Sequence, residues 1–197
     1  MPLTFKYFEG PREDMSGLAA GDVRCELCGR VGDGFDLDDA TCALPDDEKA
    51  GKFGCADCLT SGRFEFWHDT DIGMLDERGL EKVYKHNADP PPDFPETARV
   101  GLRRTPQIVT WQQELWLSHC SDFMVYIGTW EPADFAGKAT DGDGRALFLK
   151  MTRDAELQFL WDECLAEGEA VPAGWHATYY AFRCRHCGDL AGNWDCD

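Results

Sequence analysis

The chain has 197 residues, 43% of them hydrophobic, which is enough apolar material to bury a core and sets wholesale disorder aside. Its formal net charge of −18, from 37 acidic and 19 basic residues, argues against direct nucleic-acid binding, since that affinity comes from Lys and Arg displacing counterions. No stretch approaches the roughly 20 apolar residues that cross a bilayer, so membrane insertion is not expected.

The opening MPLTFKYFEG lacks the basic start and apolar run of a secretory signal, and the expected compartment is the cytoplasm. In that reducing setting ten cysteines read as metal ligands rather than as a disulfide framework. The first pair lies in CELCG, where Cys25 and Cys28 stand three positions apart on a tight turn and supply two of the four soft donors of a tetrahedral zinc. Gly29 follows because such turns often need a positive φ. The second pair lies in GCADCLTSG, where Cys55 precedes a short helix start over Ala56–Leu59 and Cys58 sits on it. The free N–H groups of that helix start face the thiolates. A turn pair with a helix-start pair resembles a treble-clef zinc finger. The competing reading is a redox dithiol of thioredoxin type, which needs a strand running into a helix at a single CxxC.

The segment DPPPDFPE carries four prolines and predicts an extended connector. It divides the chain into a zinc-binding lobe (1–88), the connector (89–98) and a mixed lobe (99–197). The acidic surplus is larger before residue 99, net −12 against −6 after it.

In the second lobe Thr110 and Gln113 form a capping-box pattern ahead of WQQELWLSHC, which predicts a buried helix with Trp111, Leu115 and His119 on one face. Trp111, Gln112, Glu114 and Trp116 are the candidate binding residues on it. FMVYIGTW predicts a strand, DGDG a loop and ALFLKM a further strand. From Asp154 the spacing of Leu157, Leu160, Trp161, Cys164 and Leu165 predicts an amphipathic helix ending near Gly168, with Cys164 in the core. ATYYAFRC predicts a strand that delivers Cys184 to the turn CRHCG, with Cys187 and Gly188. The fold class expected from this series is mixed α+β.

Cys184 and Cys187 have no second CxxC, so a second zinc must recruit isolated ligands from His119, Cys120 and Cys196. Adjacent helical residues point about 100° apart, which argues against His119 and Cys120 sharing one metal. Cys120 with either Cys196 or His119 is the expected set, and a turn packed with unligated thiols is the competing one. Trp67, His68, Asp69 and Asp71 read as solvated surface. No GxSxG elbow, P-loop, GxGxxG or HExxH is present.

FKYF at 5–8, CELCG, GCADCLTSG, RTPQIVTWQQELWLSHCSD and the closing YYAFRCRHCGDLAGNWDCD together resemble the CbrC family, a bacterial group named for a protein associated with tolerance to a nuclease colicin. The family's cysteine pairs match Cys25, Cys28, Cys55, Cys58, Cys184 and Cys187, and its His-Cys step matches His119 and Cys120. The chain departs from it in FDLDDATCALPDDE and in Cys42 and Cys164, which receive no metal role. The resemblance implies an interaction protein that confers tolerance or immunity by binding a basic partner, such as a nuclease toxin domain. The alternative is an enzyme with a Trp111, Trp116 and His119 pocket and an open zinc position near Cys120.

Overall fold

The computed structural model describes residues 4–38, 40–66, 70–76, 79–84, 94–112, 114–153, 157–165 and 177–196, with the backbone alone at 163 and 164. Residues 89–93 of the predicted connector, Trp67 to Asp69, Gln113 of the capping box, the Cys164 side chain and the helix end near Gly168 lie outside the described residues.

The described residues up to Phe66 build two small antiparallel units. Strands β1 (Leu18–Arg24) and β2 (Val31–Asp36) flank the CELCG turn and pair with each other, while β3 (Ala40–Cys42) leads away from them. Strand β4 (Phe53–Gly54) then adds to β2, and the short helix α1 (Ala56–Thr60) and strand β5 (Phe64–Phe66) follow, β5 pairing with β3. Gly54 permits this close packing, since a Cβ there would lie 2.5 Å from the Phe64 ring.

The next sheet takes strands from both sides of the proline-rich segment. Strands β6 (Asp71–Asp76) and β7 (Gly79–Tyr84) form a hairpin, and helix α2 (Glu96–Arg103) buries Ala98 and Leu102. Strand β8 (Leu115–His119) then runs parallel to β6, with Asp71 opposite Leu115 and Met74 opposite Ser118, and β9 (Asp122–Phe123) closes the order β7-β6-β8-β9.

Strand β10 (Val125–Thr129), helix α3 (Pro132–Lys138), helix α4 (Gly144–Thr152) and a π-helical turn over Leu160–Leu165 come next. Strands β11 (Ala177–Arg183) and β12 (Leu190–Cys196) complete an antiparallel sheet of order β10-β11-β12. The class is mixed α+β, as the sequence predicts.

Two local expectations change. The segment read as a helix over WQQELWLSHC contains strand β8. Trp116, Leu117 and Ser118 are all buried because β8 is an inner strand covered on both faces, so the alternation that would have marked it is missing. ALFLKM, read as a strand, belongs to α4, where the Asp143 carboxylate accepts the Ala146 N–H at 2.9 Å and Phe148 and Met151 share the buried face. The helix predicted from Asp154 is helical throughout its described residues, 157–165, of which Leu160–Leu165 form a π-turn.

Two cores result. The larger runs from Phe5 to Ala191 and includes Cys25, Cys55, Cys58 and Cys184, so both cysteine turns are anchored in one apolar body. The smaller centres on Phe135, whose ring meets Trp130, Phe148, Trp161 and Tyr179 at centroid distances of 5.1 to 5.6 Å. Each such aromatic pair contributes about 0.5–1.5 kcal/mol beyond simple burial.

Candidate metal centres

Cys25 leaves β1 into a turn closed by two backbone bonds: Gly29 N–H donates to the Cys25 carbonyl at 2.8 Å, and Cys25 N–H to the Arg30 carbonyl at 2.8 Å. Gly29 holds φ +76°, a left-handed conformation that only glycine adopts without strain. CRHCG repeats the pattern. Gly188 N–H donates to the Cys184 carbonyl at 3.0 Å, Cys184 N–H donates to the Asp189 carbonyl at 2.8 Å, and Gly188 has φ +76°.

Opposite the first turn, Cys55 is the N-cap residue of α1, and its carbonyl accepts from Cys58 and Leu59 N–H. This brings Cys25, Cys28, Cys55 and Cys58 together with their sulfurs within 4.8 Å of one another. A tetrahedral zinc with bonds of about 2.3 Å sets its sulfurs about 3.8 Å apart. Here Cys25 and Cys58 Sγ are 3.7 Å apart and Cys28 and Cys55 Sγ 3.6 Å, so the donor set fits that ion in number, softness and spacing. The Cys55 N–H points at the Cys25 sulfur at 3.3 Å and Arg63 Nη1 lies 3.8 Å from the Cys58 sulfur, both suited to thiolate charge.

The second group joins His119, Cys120, Cys184 and Cys187. His119 Nδ1 lies 3.4 Å from both the Cys120 and Cys187 sulfurs, and these sulfurs are 4.0 Å apart. The expected conflict between His119 and Cys120 does not arise, because they end a strand rather than sit on a helix. Cys120 and Ser121 both have φ +55° and form the two-residue turn between β8 and β9, which swings the Cys120 sulfur back beside its own neighbour's ring. Cys196 is not in this group. It pairs with Ala177 at the far end of the β11–β12 ladder, whereas the cysteine turn joins Arg183 to Leu190, about 20 Å away along the strand.

A buried carboxylate backs the second group, and the sequence reading missed it although it follows in the same HCSD string. Asp122 accepts hydrogen bonds from the Tyr7 hydroxyl and from Phe123 N–H, faces His186 Nε2 at 3.1 Å and has Arg185 Nη1 4.0 Å away. Burial alone would raise this carboxyl, but the bonds from Tyr7 and His186 and the charge of Lys6 outweigh it and hold it below the ordinary carboxylate range. The partner tyrosine belongs to FKYF, so the start of the chain is tied to the β8–β9 turn.

The candidate binding residues do not form one surface. Trp116 is fully buried and donates its indole N–H to the Met124 carbonyl at 2.9 Å, while Trp111 is 61% exposed and bonds Thr178 Oγ1 at 3.0 Å. Residues 116 and 119 also project from opposite faces of β8. The expected Trp111, Trp116 and His119 pocket is therefore not assembled. Gln112 and Glu114 instead fix the loop ahead of β8. Gln112 Nε2 donates to the Cys196 carbonyl at 2.7 Å, and Glu114 accepts the Ile108 N–H at 2.7 Å. Asp195 takes the Trp111 and Gln112 N–H groups on one oxygen and the Tyr180 hydroxyl on the other. Asp71, read as solvated, is buried at the start of β6.

Without a metal the thiols differ sharply. Backbone donation from Arg30, reinforced by Cys25, brings Cys28 down to about 7, whereas burial pushes Cys55 and Cys58 upward. At neutral pH Cys55 and Cys58 therefore hold protons that a zinc bound there would have to displace. Apparent zinc affinity at the first group should rise with pH, about tenfold per unit for each proton released. Calorimetric titration in two buffers of different ionisation enthalpy measures that release; an affinity independent of pH between 6 and 8 would contradict it.

A family model spans residues 3–196, a range that holds all eight residues of the two groups. The chain belongs to the uncharacterised protein family UPF0167. No solved structure matches it.

Proposed function

We propose that this chain is a zinc-holding, acidic interaction protein of the cytoplasm that confers tolerance or immunity to a nuclease-type bacterial toxin by binding a basic protein partner. The reading combines the resemblance to the CbrC family with one physical observation, the net charge of −18. Two loaded centres would add about −3 more, since four thiolates on zinc leave −2 and three with an imidazole leave −1. Such a field steers basic proteins toward the chain at rates that fall steeply with salt.

Each group offers four protein ligands, the full complement of a structural zinc, so the ions would hold the fold rather than carry out chemistry. Among the described residues no helix is long and apolar enough to cross a membrane. The test is a pull-down of the full chain with a DNase-type toxin domain at low and at high ionic strength. Capture that weakens at least about tenfold between roughly 50 mM and 300 mM salt is the expected result. Absence of any salt-sensitive complex discards direct binding.

A further inference from the structure

The two groups differ in how firmly the protein encloses them. Three of the four ligands at the first, Cys25, Cys55 and Cys58, are 2%, 7% and 3% exposed and lie inside the larger core. The Cys55 N–H and the Arg63 guanidinium both point at its sulfurs. At the second group only Cys184 is buried in that core; His119 is half-buried, and Cys120 and Cys187 are exposed.

The second group also spans more of the fold. His119 and Cys120 belong to the β8–β9 turn of the four-stranded sheet, and Cys184 and Cys187 to the turn between β11 and β12 of the three-stranded one. A metal there ties one sheet to the other. It is not the sole tie, because Trp116 of β8 packs edge-on to Phe182 of β11 with ring centroids 5.9 Å apart. Losing the ion would release the two turns while the core beneath them stays packed.

We propose that the His119, Cys120, Cys184 and Cys187 centre is an exchangeable metal clasp between the two sheets, and that the Cys25, Cys28, Cys55 and Cys58 centre keeps its ion. This rests on the reading of both groups as zinc sites. A competing ligand of the thiol or chelator class reaches the second ion past two exposed sulfurs, whereas at the first it meets a single exposed sulfur, Cys28. Exchange is ligand substitution: the ion moves to the incoming donors and the freed thiolates take up protons, with no change of oxidation state.

The experiment uses the full chain under reducing conditions. Metal content is measured first by atomic spectroscopy, and uptake of two zinc equivalents establishes the two centres independently of their exchange. An excess of a chromogenic pyridylazo chelator is then added. The expected course is two phases of one equivalent each, the first at least about tenfold faster.

In Cys187→Ser the fast equivalent should be missing and the slow one unchanged. A parallel run with the cobalt-substituted wild-type chain needs no variant: absorption of the three-sulfur, one-nitrogen site should vanish first and that of the four-sulfur site persist. Release in a single phase, or loss of the four-sulfur signal first, overturns the proposal. Uptake of only one equivalent overturns it together with the two-centre reading.

Discussion

Replacing Cys55 with serine should remove one of two bound metal equivalents and unfold the region around β1 to β5. Cys55 is one of the four candidate sulfur donors, and serine there keeps the N-cap position of α1 and the backbone N–H toward the Cys25 sulfur, so what it removes is the soft metal donor. Apparent binding energies of structural zinc are about 10–16 kcal/mol in small zinc-finger peptides, comparable with the roughly 5–15 kcal/mol that holds a whole domain folded. Cys42→Ser is the control, since Cys42 is half-buried on β3 and belongs to neither group. Metal analysis with urea denaturation checks both variants, and an unchanged metal content in Cys55→Ser would refute the ligand assignment.

The second large effect is expected at Trp116. Truncation to alanine should cost about 3–5 kcal/mol, because it empties a fully buried site and leaves the Met124 carbonyl without its donor. Trp116→Phe keeps most of the ring and its contact with Phe182, and should lose clearly less. The midpoint of a urea transition measures both. A Trp116→Ala variant within about 1 kcal/mol of the parent would place this side chain outside the core.

The first centre was legible in the sequence because its information is local: two CxxC pairs, a glycine after one and a helix start after the other. The second was half legible. Its turn repeats the first, but the choice between His119 and Cys196 depends on secondary structure elsewhere. Reading WQQELWLSHC as a helix put His119 and Cys120 about 100° apart. As a strand ending in a left-handed turn, the same residues converge. Cys196 could have been set aside from the sequence, since a tight CRHCG turn between two seven-residue strands carries the chain end away from it.

The two misread elements share a cause. An inner strand buried on both faces and a short apolar helix both appear as unbroken apolar runs, and hydrophobic periodicity cannot separate them. Leu115 to Ser118 went one way and Ala146 to Met151 the other. The deciding facts are the parallel partner β6 for the first and the Asp143 cap for the second. Asp122 was visible as a residue yet not as a site, because its partners Tyr7 and His186 are distant in sequence.

The parallel pairing of β6 with β8 bears on how the chain can be cut. Any division in the proline-rich stretch separates neighbours that share a hydrogen-bonded ladder from Asp71–Leu115 to Met74–Ser118. Each fragment would then present a raw sheet margin with unsatisfied amides, the kind of surface that recruits foreign strands and precipitates. The two halves should stay soluble when produced together and aggregate when produced apart.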